Sequence, residues 1–208
     1  QKGSSLSSQY KSPVLGDFIE LALNTGCRRS ELLNLKWIHV DLSTRLLHLE
    51  QTKSGEWQTV PINEDARQVL VRRMRLRDAV CPESPWVFFH LTSAFNAEVG
   101  DRVKSVRKAF STACKRAGIM DFHIHDLRHT FASWLVMNGV ALFEVSKLLR
   151  HSSIQMTERY AHLAPDHLHH AVSNLGFSAQ FQHTKNLESV VVCQKGLNTG
   201  VNGRGERI

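Results

Sequence analysis

The hydrophobic pattern of this chain changes period part of the way along, and that change limits the possible folds more than any other feature. From Val14, the apolar residues Leu15, Phe18, Ile19, Ala22 and Leu23 recur at helical spacing, and Gly26 stops the helix. Ser30 is the expected N-cap of a second helix, Glu31–Trp37, with Leu32 and Leu35 toward the core. Leu46, Leu47 and Leu49, followed by Trp57, Thr59, Val60 and Ile62, then read as two strands around the turn Lys53-Ser54-Gly55. Helical spacing returns over 64–79, where Arg67, Arg72, Arg73, Arg75 and Arg77 predict a very basic side. Trp86–His90 reads as a short strand, and 103–117 as a further basic helix ended by Gly118. Short helices are expected at 126–138, 141–150, 153–161 and 165–174, punctuated by Gly139 and Pro165. The sum is an α+β domain, mostly helical, with a small antiparallel sheet or hairpin on one side.

A length of 208 residues corresponds to one full domain with some excess, at about 150 residues per domain. The expected organisation is a Ser-rich linker or frayed end over 1–12, a domain over 13–176 and a tail over 177–208. Within the tail, 187–193 (LESVVVC) is a candidate docking strand, and Gly196, Gly200, Gly203 and Gly205 predict a flexible end. A first residue other than Met predicts a processed chain or an excised fragment. Hydrophobic residues at 42% exclude a disordered or fibrous chain. Lys and Arg outnumber Asp and Glu by 26 to 19, and the resulting charge of +7 attracts a polyanion, most commonly nucleic acid. No apolar run approaches the ~18 residues of a membrane span. The opening QKGSSLSSQYKS lacks the apolar core of a signal peptide. Cys27, Cys81, Cys114 and Cys193 show no C-x-x-C spacing, so a cytoplasmic protein with reduced thiols is expected.

Groups able to do chemistry fall in four segments. Tyr160, one of two tyrosines, ends the stretch TERYAHL, with His151 before it and His162 after it. Taken alone it reads as a packed aromatic. In His125-Asp126-Leu127-Arg128-His129, His125 and Arg128 share a helix face and can converge on one anion. The same segment also reads as a solvated helix start, or as an i, i+4 histidine pair for a metal, although Asp126 stands where the H-E-x-x-H pattern has Glu. Arg28 lies in the turn before a helix N-terminus, which suits a phosphate, and Glu31 is placed to orient it. An ordinary loop arginine is the alternative. Lys53, at the hairpin tip, reads equally as an exposed turn lysine. Together these groups match the needs of a phosphodiester transfer without metal. Such a reaction takes a tyrosine hydroxyl as nucleophile, two arginines to neutralise the non-bridging oxygens, and a lysine or histidine to protonate the leaving oxygen.

The ordered set Arg28, Lys53, His125-x-x-Arg128, His151 and Tyr160 resembles the catalytic domain of the tyrosine recombinases of the phage-integrase type. The matching text is TGCRRSELLNLKW, QTKSGEWQTVPI, HIHDLRHTFASWLVMNG and LLRHSSIQMTERYAHL, covering roughly residues 14–175. The resemblance implies that Tyr160 attacks the scissile phosphate, forming a 3′-phosphotyrosyl bond and releasing a 5′-hydroxyl. It further implies that Arg28 and Arg128 clamp the phosphate, that His125 assists proton transfer and binds the phosphate, and that His151 adds a phosphate hydrogen bond. Lys53 is implied as the acid for the leaving oxygen. In this family a glycine usually precedes the histidine matched by His151. Arg150 stands there instead, adding bulk and charge.

The expected activity is therefore site-specific DNA recombination, with no cofactor and no metal. The expected partners are a duplex DNA recombination site, further copies of the chain in a dimer or tetramer (with 187–193 as a docking strand), and accessory DNA-bending proteins. A nucleoid-associated protein of a bacterium or phage is implied. The competing readings are type IB topoisomerase-like strand passage and a catalytically silent DNA-binding module.

Overall fold

Helix α1 (Pro13–Thr25) supplies the centre of the core, with Phe18 and Leu21 fully buried at helical spacing. The computed structural model describes residues 13–50, 57–93, 96–165 and 172–173. The chain divides after Pro165 into two units, and the architecture that follows is that of the first. Against α1 pack the long helix α3 (Glu64–Val80) and helix α5 (Asp126–Met137). Helix α1 ends where Gly26 adopts φ +60°, a left-handed conformation. A Cβ on Gly26 would lie 2.4 Å from the Phe131 ring of α5, so glycine is also what lets the two helices approach here.

The antiparallel strands predicted from the alternating pattern are β2 (Leu46–Glu50) and β3 (Trp57–Pro61), joined by a two-residue β1 (Val40–Asp41) in the order β1-β2-β3. The register pairs Leu47 with Val60, and these inward residues are 0% and 2% exposed. The α+β expectation is thus borne out, with the sheet one strand larger than a hairpin. The turn residues 53–55, the head 1–12 and the tail 177–208 with its 187–193 run lie outside the described residues, as does most of the expected helix 165–174.

Three local expectations change. Helix α2 is short (Arg29–Leu33), and Arg28, not Ser30, is its N-cap. The backbone expected to continue the helix bonds elsewhere: Trp37 N–H donates to Pro85 C=O (2.9 Å), and Leu35 C=O accepts from Val87 N–H (3.0 Å). A 3₁₀ turn at Trp37–His39 leads into β1. Trp86–His90 forms isolated bridges, Lys36 with Trp86 and Phe89 with Arg102, and no strand. Helix α4 spans Arg107–Arg116, because Val103 is drawn into the core by its N–H bond to Phe88 C=O (3.0 Å). Beyond α5 come α6 (Leu142–Leu149), α7 (Gln155–Glu158) and a 3₁₀ turn at Ala161–Leu163.

The buried apolar residues form two clusters. The larger joins α1, the sheet, α3, Val87 and Phe88, and reaches Leu127 of α5. The smaller holds Ala132 and Val136 of α5, Val145 and Leu149 of α6, and Tyr160. Helix α5 belongs to both.

The basic side expected on α3 excludes Arg73, which is 0% exposed. Its Nε–H donates to Val87 C=O (3.0 Å), and its guanidinium lies over the rings of Phe88 and Phe89, 5.3 and 5.0 Å from their centroids. Asp17 Oδ2 stands 3.9 Å away, and neither Nη has a hydrogen-bond partner. Burial lowers the Arg73 pKa to about 10, so the group stays cationic at neutral pH. Asp17 has a second cation, Arg72, at 3.2 Å. The two ends of the pair therefore differ in what their loss exposes. Asp17→Ala strips a buried guanidinium of its counter-charge and is expected to cost about 3–5 kcal/mol. Arg73→Met removes the buried charge itself and leaves Asp17 paired with Arg72, but strands the Val87 carbonyl, so a smaller loss of about 1–3 kcal/mol is expected in urea unfolding.

Candidate active site

Arg128, on the first turn of α5, is 5% exposed. Its Nη1 donates to Gly26 C=O (2.5 Å), just past the end of α1, and its Nη2 donates to Leu149 C=O, the last residue of α6. Helix C-termini carry unpaired carbonyls and partial negative charge, so one guanidinium satisfies two such ends at once. Burial, together with Arg28 and Arg150, lowers its pKa to about 10, and it remains a cation. Two of the five N–H groups of Arg128 are committed to these bonds.

Arg28 stands at the N-cap of α2, its side chain 41% exposed. Glu31 accepts from the Arg28 backbone N–H (2.6 Å) and from Arg28 Nη1 (2.8 Å). The expected orienting role of Glu31 therefore has a geometric basis, and a second cation joins it: Arg150 Nη2 at 2.6 Å. Burial pushes the Glu31 carboxyl up, but Arg150 and Arg28 outweigh it and hold it below the ordinary carboxylate range.

His151 follows the end of α6, and its Nδ1 faces the hydroxyl of fully buried Thr157 at 2.8 Å. Burial first, then the charges of Arg128 and Arg28, lower its pKa to about 4. It is thus neutral at physiological pH. If the Thr157 hydroxyl donates to Nδ1, the proton sits on Nε2, free to donate outward.

Tyr160 closes the short α7 segment, 6% exposed, with its hydroxyl hydrogen-bonded to His129 Nδ1. Burial raises its pKa, opposed by Arg159 and Arg128. His125 is exposed at the start of α5, with its ring edge-on to His129, centroids 4.8 Å apart. In this structure His129, not His125, touches the tyrosine hydroxyl. Sequence reading weighed His129 only as half of a metal pair. Its position one turn beyond His125 was the available signal. Burial, then His125, lower the His129 pKa.

Arg28, Arg128, His151 and Tyr160 therefore lie within one electrostatic neighbourhood. Lys53 lies outside the described residues, between strand ends paired as Glu50 with Trp57. A depression of about 520 Å³ opens between the start of β3 (Trp57, Thr59) and Lys147 of α6 with the turn that follows it (Arg150, His151, Ser152). This arrangement can receive an anion between cations, beside a hydroxyl in hydrogen-bond contact with a histidine.

The depressed pKa of His151 sets a pH dependence. A group whose pKa falls on folding adds stability that is full above its unfolded pKa, near 6.5, and is lost as pH falls through the folded value, about 4. The unfolding free-energy gap between wild type and His151→Gln is therefore expected to be flat above pH 6.5 and to narrow steadily from 6.5 to 4. Denaturation at a series of pH values checks it.

A model of the phage integrase family matches residues 7–167. The integrase of Salmonella phage P22 is 40% identical over 163 residues, covering 74% of this chain and 40% of that protein. The shufflon-specific DNA recombinase of Escherichia coli is 32% identical over 155 residues, covering 74% of this chain and 36% of that protein. The chain thus spans well under two thirds of these curated relatives. Among solved structures, the catalytic domain of bacteriophage HP1 integrase superposes with a TM-score of 0.58 at 30% identity, covering 81% of this chain and 86% of that one. With the family matched over most of its length and the fold shared, this chain belongs to the phage integrase family of tyrosine recombinases.

Proposed function

We propose that this chain carries the chemistry of a site-specific DNA recombinase, cutting and rejoining DNA through a covalent bond to Tyr160 without help from a metal ion. The observation that carries this reading is the Tyr160 hydroxyl bonded to His129 in a neighbourhood charged by Arg28 and Arg128. A surplus of seven positive charges and kinship with a named DNA recombinase support DNA as the substrate.

In the proposed reaction the scissile phosphate lies against Arg28 and Arg128, whose guanidinium groups oppose the charge that builds on its non-bridging oxygens. His151, neutral and held by Thr157, donates its Nε2–H to one of those oxygens. Tyr160 gives up its phenolic proton as it leaves its buried position, and its oxygen attacks phosphorus. The phenolic proton passes to His129, whose ring meets that of His125 edge-on. The bond from phosphorus to the 5′-oxygen breaks, and that oxygen takes a proton from Lys53. The products are a 3′-phosphotyrosyl bond and a free 5′-hydroxyl. The reverse sequence, with a different 5′-hydroxyl attacking, joins new partners. Strand exchange implies more than one copy of the chain on the DNA, with 187–193 as a docking segment. Recombination, rather than topoisomerase-like relaxation, is favoured by the kinship with a named recombinase.

The burial of Tyr160 favours one second reading, a silent DNA-binding module. A nicked duplex of the protein's own recombination site, incubated in EDTA, decides between them. Wild type is expected to give a covalent protein–DNA adduct and Tyr160→Phe none; an undiminished adduct from Tyr160→Phe overturns the mechanism. Lys53 has its own test. Lys53→Ala is expected to slow cleavage of ordinary DNA by about 10²–10⁴-fold. A substrate with sulfur at the 5′-bridging position, whose thiolate leaves without protonation, should be cleaved by Lys53→Ala nearly as fast as by wild type.

A further inference from the structure

Arg150 is an arginine in a place built for something smaller. It ends α6 at φ 55° and ψ 46°, the left-handed region in which the Cβ of any side chain is crowded. Its guanidinium is not spread into solvent, as a long cationic chain ordinarily is. It folds inward to 4% exposure, with Nη1 donating to Leu148 C=O (3.1 Å) and Nη2 to Glu31 Oε2 (2.6 Å). The residue it meets is 119 positions away, in the short helix that begins beside Arg28.

Glu31 is thereby held from both sides. Oε1 takes Arg28 Nη1, while Oε2 takes both the Arg28 backbone N–H and Arg150. Without Arg150 the carboxylate would keep both bonds to Arg28 but would lose its tie to a distant part of the chain, the α6 end. It would also offset part of the Arg28 charge locally, in a cluster whose other charged or titratable groups are Arg128, His151 and the buried Cys27 thiol. Arg28, Arg128 and Glu31 already sum to one positive charge; Arg150 raises that sum to two and adds a bond to the carboxylate that aims Arg28. We propose that Arg150 is a positioning residue: through Glu31 it fixes the guanidinium of Arg28, and through the chain it ties the turn carrying His151 to the same point. The two sides of the phosphate site then set as one unit. This rests on the recombinase reading above.

The test is single-turnover cleavage of the nicked recombination site by the full-length protein. R150G removes the guanidinium and relieves the crowded backbone, R150M removes the charge and keeps the stem, and R150K keeps a charge. In R150G and R150M the cleavage rate at saturating DNA is expected to fall by up to about 100-fold, the scale for a catalytic group displaced by about 1 Å. Half-saturating DNA concentration should hardly move, and R150K should recover most of the rate. On an E31Q background the same R150G change should cost no more than about twofold, the ordinary scatter of additivity. Three results overturn the inference: R150G cleaving like wild type, a loss confined to DNA affinity, or an equal loss with and without E31Q. Failure of both R150G and R150M to fold, read by thermal unfolding, also overturns it in favour of a purely structural pairing. Absence of any adduct from wild type would instead overturn the recombinase reading itself.

Discussion

The Arg128 side chain bridges the carbonyl ends of α1 and α6, two helices that share no apolar cluster. Each end alone is a place where backbone acceptors need a donor. Meeting that need with one buried guanidinium fixes the distance between the two helix ends. Gly26 makes the arrangement possible, since a side chain there would strike Phe131 and force α5 away from α1. Arg28, just beyond Gly26, and His151, just beyond Leu149, inherit their places from this one contact. The polar bridge is therefore a part of the fold as much as of the site.

Its cost is electrostatic, and the site is shaped by how that cost is met. Arg128, Arg28 and Arg150 crowd round a single carboxylate, Glu31. The positive charge shows at two neighbours: His151 is driven to about 4 by burial and arginines, and the rise that burial imposes on Tyr160 is opposed by Arg159 and Arg128. An anion placed here would relieve repulsion already present between the cations. These cations are held in place before any ligand arrives.

Much of this was legible in the sequence, and the exceptions share a cause. The change from helical to alternating period predicted both strands, because Leu47 and Val60 bury on the sheet face that the alternation implies. Gly26 and Gly118 ended helices as expected, both at positive φ. What misled was residue class taken one position at a time. Arg73 reads by residue type as part of the basic side of α3, yet Phe88 and Phe89 form a pocket for it that only tertiary structure brings together. Helix α2 stops early because residues 35–37 find backbone partners around residue 86, which no local propensity reports. His129 was visible as a histidine, but spacing along one helix cannot say which face meets a tyrosine 31 positions later. Arg150 was visible as an unusual residue at a turn, and its inward fold onto Glu31 was not.

Tyr160 belongs to the smaller apolar cluster, packed with Val136, Val145 and Leu149. Turning such a ring out to solvent forfeits about 1.5–3 kcal/mol of burial. At that gap roughly 0.6–7% of molecules carry the ring outward at any moment, and the apparent rate of any step that needs it is scaled by the same fraction. In the proposed reaction, contacts that DNA makes only with the outward form would lift this restraint. A molecule adrift from its target would then keep its nucleophile sheathed, with the packing between α5 and α6 setting the threshold for release.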